Sequence, residues 1–132
     1  MQLIKNLLES KYVLRAAILY SGLVTYFFLM PTSGLPKVGI SGFDKVAHVL
    51  LFFLLTFLWL LFFELRNKKM RWFFVLGFTL VLLVYGILIE VVQELFTPSR
   101  TADAYDVFAD MIGVGCGIAF FKTIKSKLLI GK

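Results

Sequence analysis

Residues 44–63 read DKVAHVLLFFLLTFLWLLFF, and this stretch decides the class of the protein. From Val49 to its end at Phe63 it contains one polar residue, Thr56. A helix needs about 20 mainly apolar residues to cross the hydrocarbon core of a bilayer. The stretch is therefore predicted to be a transmembrane helix. Its first residues include three ionisable side chains, Asp44, Lys45 and His48.

Three further stretches, residues 12–31, 72–96 and 104–121, are long and apolar enough to be interpreted in the same way. The composition agrees, since 60% of all residues are hydrophobic. Backbone N–H and C=O groups in lipid must be paired within their own segment, which favours helices over an open sheet. The sequence thus predicts an all-α, polytopic membrane protein, in which a bundle of four transmembrane helices forms one domain over residues 1–132.

Charge is distributed unevenly between the two sides of the predicted spans. Most of the 14 Lys and Arg residues precede the first span, connect the second to the third or follow the fourth, where the only acidic residues are Glu9 and Glu64. Short basic loops stay in the cytoplasm, so both termini are predicted to be cytoplasmic. The basic residues also suit contacts with anionic lipids. No nucleic-acid-binding module is recognisable, and nucleic acid is not an expected partner.

Ionisable and amide side chains lie on the opposite, extracytoplasmic side of the predicted spans. They occur where the second and fourth spans begin and where the third span ends. The residues predicted to bind a ligand there are Asp44, His48, Glu90, Gln93, Arg100, Asp106 and Asp110. Ionisable groups at membrane depth are energetically costly and usually mark a functional site. Helical spacing also places Asp106 and Asp110 on one stripe with Gly113 and Gly117, and small residues at this spacing allow a second helix to approach closely.

Structural explanations of these residues remain open beside the functional one. Asp44 and Asp103 stand where a helix N-cap is expected, so their carboxylates can accept hydrogen bonds from the first backbone amides of a helix. Arg100 can join two helix ends through carboxylates, which would stabilise the fold without binding any ligand.

In order and spacing, the polar residues resemble the VanZ-like family of small bacterial membrane proteins. The matching pieces are Asp44-Lys45-x-x-His48, Glu90-x-x-Gln93, Arg100 in the turn that follows, and Asp106-x-x-Ala109-Asp110-x-x-Gly113. The resemblance covers residues 40–121, and family members often carry Asn where this chain has Asp110. It implies a multi-pass protein of the bacterial cytoplasmic (inner) membrane with an envelope-related role. The family takes its name from a protein that lowers susceptibility to the antibiotic teicoplanin.

Two functions fit this pattern best. The first is a non-enzymatic envelope protein whose extracytoplasmic polar pocket binds a lipid head group, a cell-wall precursor or a helix of another membrane protein. The alternative is an integral-membrane enzyme acting on a lipid or glycan head group, with His48, Glu90 and Asp106 as candidate catalytic residues. A proton- or cation-coupled carrier is less favoured, because the chain shows no inverted repeat.

Metal binding belongs only to the enzymatic alternative. A set of carboxylates with one histidine suits a hard divalent cation better than zinc, which prefers nitrogen and sulfur ligands. One histidine is a small basis for a metal centre, so neither a metal ion nor an organic cofactor is expected from the sequence.

Overall fold

The computed structural model describes residues 9–30, 42–67, 70–96 and 102–129, and it contains four helices. They are α1 (Ser10–Leu29), α2 (Phe43–Asn67), α3 (Trp72–Phe96) and α4 (Ala104–Leu129). All four are long and apolar enough to cross a membrane, and the described residues contain no strand. The predicted all-α bundle of four membrane-spanning helices is thereby confirmed, whereas the cytoplasmic location of the termini stays a prediction.

Two helices are longer than the predicted spans, because those spans were ended at charged residues and a charged residue does not interrupt a helix. α2 and α4 continue past the apolar stretches, and Glu64 and Lys125 join these two extensions through an ion pair of 2.8 Å. A charged residue thus ends a hydrophobic span without ending the helix.

α1, by contrast, ends at Leu29 because of a proline. Met30 precedes Pro31 and has the extended conformation, with ψ 129°, that such a position favours.

The packing of the bundle centres on α2, which lies against α1 and, most closely, against α4. A Cβ atom on Gly117 of α4 would lie 2.8 Å from the carbonyl oxygen of Phe53, and Gly113 faces the carbonyl oxygen of Val49 with no room for a side chain. The prediction that Gly113 and Gly117 allow close approach of a second helix is confirmed. α3 completes the bundle by contacting α4 and α1.

The middle of the bundle is an apolar core to which every helix contributes, with Val24, Phe52, Leu82 and Val114 all buried. Polar hydrogen bonds cross the same region. The hydroxyl groups of Thr25 and Tyr85 are 2.8 Å apart, and Nε1 of Trp59 donates to Oγ of Ser21 at 3.0 Å. Hydrogen bonds between membrane helices contribute about 0.6 kcal/mol each on average. They orient α1 against the helices beside it.

Candidate functional site

The predicted polar residues meet at one end of the bundle, where α1 and α3 end and α2 and α4 begin. We call it the acidic end, and its described members are Asp44, Lys45, His48, Glu90, Gln93, Asp103, Asp106 and Asp110. The antiparallel arrangement of neighbouring helices brings these sequence-distant residues together. Arg100, which the sequence also assigns to the site, lies outside the described residues. The ligand-binding role of all seven predicted residues stays a prediction.

A hydrogen-bonded pair between His48 and Asp110 forms the buried centre of the acidic end. Nδ1 of the imidazole is 2.8 Å from Oδ1 of the carboxylate, and the residues are 3% and 1% exposed. When Asp110 is ionised its carboxylate can only accept, and Nδ1 then carries the proton of this hydrogen bond. The ring of Phe28 packs on the imidazole with a centroid distance of 4.3 Å. The other ring nitrogen, Nε2, lies 3.8 Å from Oδ2 of Asp106.

Gly86 of α3 leaves the space that the Asp110 carboxylate occupies. A Cβ atom at Gly86 would lie 2.7 Å from Oδ2 of Asp110. This oxygen is buried and has no hydrogen-bond partner among the described residues. Two helices therefore cooperate to hold one carboxylate, with α4 supplying it and α3 giving it room.

Glu90 connects the last turns of α3 to the beginning of α4. Its Oε2 accepts a hydrogen bond of 3.1 Å from the backbone amide of Asp103. Its Oε1 is buried and has no hydrogen-bond partner in the part of the chain that the structure describes. One ligand atom from each of Glu90, His48 and Asp106 lies within 4.8 Å of the other two, an arrangement that could hold a metal ion.

Lys45 belongs to the site although sequence analysis does not assign it there. Its ammonium group donates to Oδ2 of Asp103 and to Oδ1 of Asp106, both at 3.0 Å, and lies 3.4 Å from Oδ2 of Asp44. The sequence indicates only that Lys45, three residues before His48, lies on the same side of a helix as the imidazole. Its contacts with Asp103 and Asp106 come from the packing of α2 against α4. The packing of Phe28 on the imidazole has no comparable signal.

The two predicted N-caps have different outcomes. Asp103 caps α4, because its Oδ1 accepts a hydrogen bond of 2.9 Å from the backbone amide of Tyr105. This bond, together with the ammonium of Lys45, lowers the pKa of Asp103 below its usual value of 3.8. Asp44 instead lies inside the first turn of α2, after Gly42, whose φ of 85° is in the left-handed region. Its side chain is 60% exposed and is available to other groups.

Gln93 has a structural contact that its predicted ligand role did not include. Its Nε2 donates a hydrogen bond of 2.7 Å to the carbonyl oxygen of Phe28, in the last turn of α1. Carbonyl groups at a helix C-terminus lack partners within the helix, so this buried amide satisfies one of them. Gln93 thereby ties the end of α1 to α3.

A groove between α1 and α2 opens beside these residues, with a cavity volume of about 680 Å³. Its walls are mainly apolar and include Phe27 of α1 with Val46 and Leu50 of α2. Its polar lining comes from the acidic end, namely Asp44, His48, Gln93, Asp103 and Asp106. The groove therefore has the composition expected for an amphiphilic molecule, which has both an apolar and a polar part.

The comparisons with known proteins identify the family and nothing narrower. A family model described as VanZ/LLP1 matches residues 6–125, nearly the whole chain. The match extends beyond the region of resemblance, residues 40–121, and includes all of α1. No curated protein and no solved structure matches the chain.

Proposed function

Because the chain belongs to the VanZ/LLP1 family and has four helices able to cross a membrane, we propose that it is an envelope protein that binds a lipid in the groove between α1 and α2. The observation that carries this proposal is the composition of the groove, which has apolar walls and a polar lining from the acidic end. Its volume of about 680 Å³ is within the range of pockets that hold small organic ligands.

In this proposal an acyl chain lies along Val46 and Leu50, in the part of the groove made of apolar side chains. The head group then contacts Asp44 and Asp103, whose side chains are 60% and 37% exposed. These carboxylates can accept hydrogen bonds from a ligand without the cost of uncovering a buried charge.

The charge of the acidic end favours an ammonium group on the ligand. Among the described residues there, five carboxylates face one lysine and one histidine; the carboxylates are Asp44, Glu90, Asp103, Asp106 and Asp110. Such an excess of negative charge attracts a cation and repels an isolated anion. A phospholipid with a primary amine in its head group, such as phosphatidylethanolamine, meets this requirement. The role of Arg100 toward the lipid phosphate stays a prediction from the sequence.

The proposal can be tested by purifying the protein from bilayers of phosphatidylethanolamine and phosphatidylglycerol. Mass spectrometry then measures the amount of each lipid that copurifies with the protein. We expect phosphatidylethanolamine to be enriched over its bulk share. Asp44→Asn removes a charge from an exposed site, and one exposed ion pair is worth up to about 1 kcal/mol, so we expect a measurable fall in enrichment with an upper limit of about fivefold.

Glu94→Gln is the matched control, because Glu94 is an exposed carboxylate near the same end of α3 and does not line the groove. We expect this variant to retain lipid as the wild type does. Equal retention of both lipids by the wild type, or equal enrichment in Asp44→Asn and wild type, would contradict the proposal.

A second candidate function, catalysis on the bound head group, is favoured by the pairing of His48 with Asp110. A histidine oriented by a buried carboxylate is a competent general base, and His48 lines the groove. Incubation with phosphatidylethanolamine labelled in the head group would show release of the label by the wild type and none by His48→Gln. Lipid retention without any turnover would remove catalysis and leave lipid binding in place.

A further inference from the structure

We propose that His48, Glu90 and Asp106 bind a divalent first-row metal ion in the acidic end, where His48 and Asp106 line the groove and Glu90 lies beside them. The three residues come from three different helices, and one ligand atom of each lies within 4.8 Å of the others. Neither the family match nor the proposed lipid binding includes a metal ion.

The spacing of the ligand atoms is close to what an ion requires. Two ligands at about 2.1 Å from an ion are about 3.4 Å apart in tetrahedral geometry and about 3.0 Å apart at the right angle of octahedral geometry. Nε2 of His48 and Oδ2 of Asp106 are 3.8 Å apart, which is too long for a hydrogen bond and wider than those separations by about 0.4–0.8 Å. A small rotation of either side chain would bring both atoms within coordination distance.

An independent observation comes from Glu90. This residue is 4% exposed, and its Oε1 has no hydrogen-bond partner among the described residues. A buried carboxylate oxygen without a partner is energetically unfavourable, because its lost hydration is not replaced by a hydrogen bond. The carboxylate that carries this oxygen is one of the three members of the proposed site, and a bound cation would satisfy it.

Each of the three ligands is held in place by another group that leaves coordinating atoms free. Nδ1 of His48 is hydrogen-bonded to Asp110, which leaves Nε2 as the ligand atom. The backbone amide of Asp103 binds Oε2 of Glu90. Lys45 binds Oδ1 of Asp106, while Oδ2 lies toward His48.

Metal-binding histidines usually donate their other ring N–H to a carboxylate or a carbonyl, and such supporting contacts orient the ligand and raise its basicity. The pairing of His48 with Asp110 has this form. The three supporting contacts also mean that little side-chain freedom is lost when an ion binds, since the ligands are already ordered.

The donor set indicates which ions fit. One imidazole nitrogen and carboxylate oxygens suit Mn²⁺, which accepts both kinds of ligand, better than Mg²⁺ or Ca²⁺, which prefer oxygen alone. Zn²⁺ accepts the same atoms and generally binds nitrogen ligands more tightly than Mn²⁺. An ion at this position neutralises the buried carboxylates and leaves Asp44 and Asp103 for the lipid head group.

The test uses the full-length protein in detergent without added lipid, so its outcome does not depend on lipid binding. After removal of bound metal with a chelator, the protein is titrated with Mn²⁺, which is followed by electron paramagnetic resonance. We expect one Mn²⁺ per chain, and pulsed measurements should show coupling to a single imidazole nitrogen, because His48 is the only histidine in the chain. Competition with Zn²⁺ decides which of the two ions binds more tightly.

Variants then identify the ligands. His48→Gln, Glu90→Gln and Asp106→Asn each remove a ligand with little change in shape, and we expect each to weaken Mn²⁺ binding at least tenfold. Asp110→Asn changes the group that orients the histidine, and such contacts are typically worth about 10- to 100-fold in affinity. Glu94→Gln, an exposed carboxylate on the same helix as Glu90, should bind as the wild type does.

The absence of Mn²⁺ and Zn²⁺ binding by the wild type, or of nitrogen coupling in the Mn²⁺ complex, would overturn the proposal. Equal binding by the wild type and the three ligand variants would also overturn it. Because the nitrogen coupling is measured on the wild-type protein, the proposal can be rejected even when a variant fails to fold. Metal binding without enrichment of phosphatidylethanolamine would support the metal site and contradict the lipid proposal.

Discussion

Nδ1 of His48 lies 2.8 Å from Oδ1 of Asp110, and this contact joins the second turns of α2 and α4 inside the bundle. The two residues are separated by 62 positions along the chain. Their pairing depends on the close approach of α2 and α4, which in turn depends on glycines deeper in the same interface. The polar site and the packing of the bundle therefore have a common structural basis.

Replacement of Asp110 should distinguish its hydrogen bond from its charge. In Asp110→Asn the amide oxygen can still accept a hydrogen bond from Nδ1 of His48, so we expect a loss of less than about 1 kcal/mol. Asp110→Ala leaves the buried imidazole donor without a partner and should destabilise the protein by about 1–3 kcal/mol. Thermal unfolding in detergent measures both, and an alanine variant as stable as the asparagine variant would contradict the assignment.

Gly86→Ala should destabilise the protein because the added methyl group would meet Oδ2 of Asp110 at 2.7 Å. Overpacking of this kind costs about 1–3 kcal/mol. Gly77→Ala is the matched control on the same helix, since a Cβ atom there would meet nothing within 4 Å. That variant should keep or gain stability, because alanine favours helices over glycine by about 1 kcal/mol. Equal unfolding temperatures for the two variants would argue against the contact.

Gly113→Ala should be more harmful, because the new methyl group would press on the backbone carbonyl of Val49, which cannot move without shifting α2. We expect a loss of about 2 kcal/mol or more. Gly115→Ala is the control on the outer face of α4, where a Cβ atom would meet nothing within 4 Å. Unfolding in detergent compares them, and a stable Gly113→Ala protein would mean that α2 and α4 are further apart than described.

The ionisation of Asp103 should respond to Lys45. The pKa of Asp103 in the folded protein is below 3.8, first because of the amide of Tyr105 and second because of Lys45. Its contribution to stability is therefore complete above pH 3.8 and is lost as the pH falls through the lower, folded-state pKa. In Lys45→Met this pKa should rise, since one of the two causes is removed, while the hydrogen bond from Tyr105 remains.

Carbon-detected NMR titration of the Asp103 carboxyl group measures this change directly. Lys11→Met is a suitable control, since Lys11 pairs with Glu9 at the opposite end of the bundle. An Asp103 pKa that is the same in Lys45→Met and in the wild type would show that the ion pair of 3.0 Å does not persist in solution.

Much of the acidic end could be expected from residue spacing within single helices. The positions of His48, Asp106 and Asp110 at the beginning of two apolar spans, and of Glu90 at the end of a third, indicated where polar groups would gather. The contacts between helices could not be expected in this way. The place of Lys45 between three carboxylates depends on the rotation of α2 against α4, which a single sequence does not reveal.

The proposed metal site likewise depends on contacts between helices that residue spacing within one helix does not predict. Sequence analysis expects no metal ion, because one histidine among carboxylates has no recognisable ligand spacing along the chain. The three proposed ligands come from α2, α3 and α4, so their proximity is a property of helix packing alone. The free oxygen of Glu90 and the support of His48 by Asp110 are likewise tertiary features.

The membrane-spanning, all-helical class of this protein follows from sequence alone, because the length and apolar character of each stretch are local properties that decide whether that segment can cross a bilayer as a helix. In contrast, the contacts of Asp106 with Lys45 through one oxygen and with His48 through the other follow from how the helices pack. These contacts depend on interhelical distances set by side-chain volume at the interface, where the absence of a Cβ atom at Gly86 and Gly113 allows the helices and their carboxylates to meet.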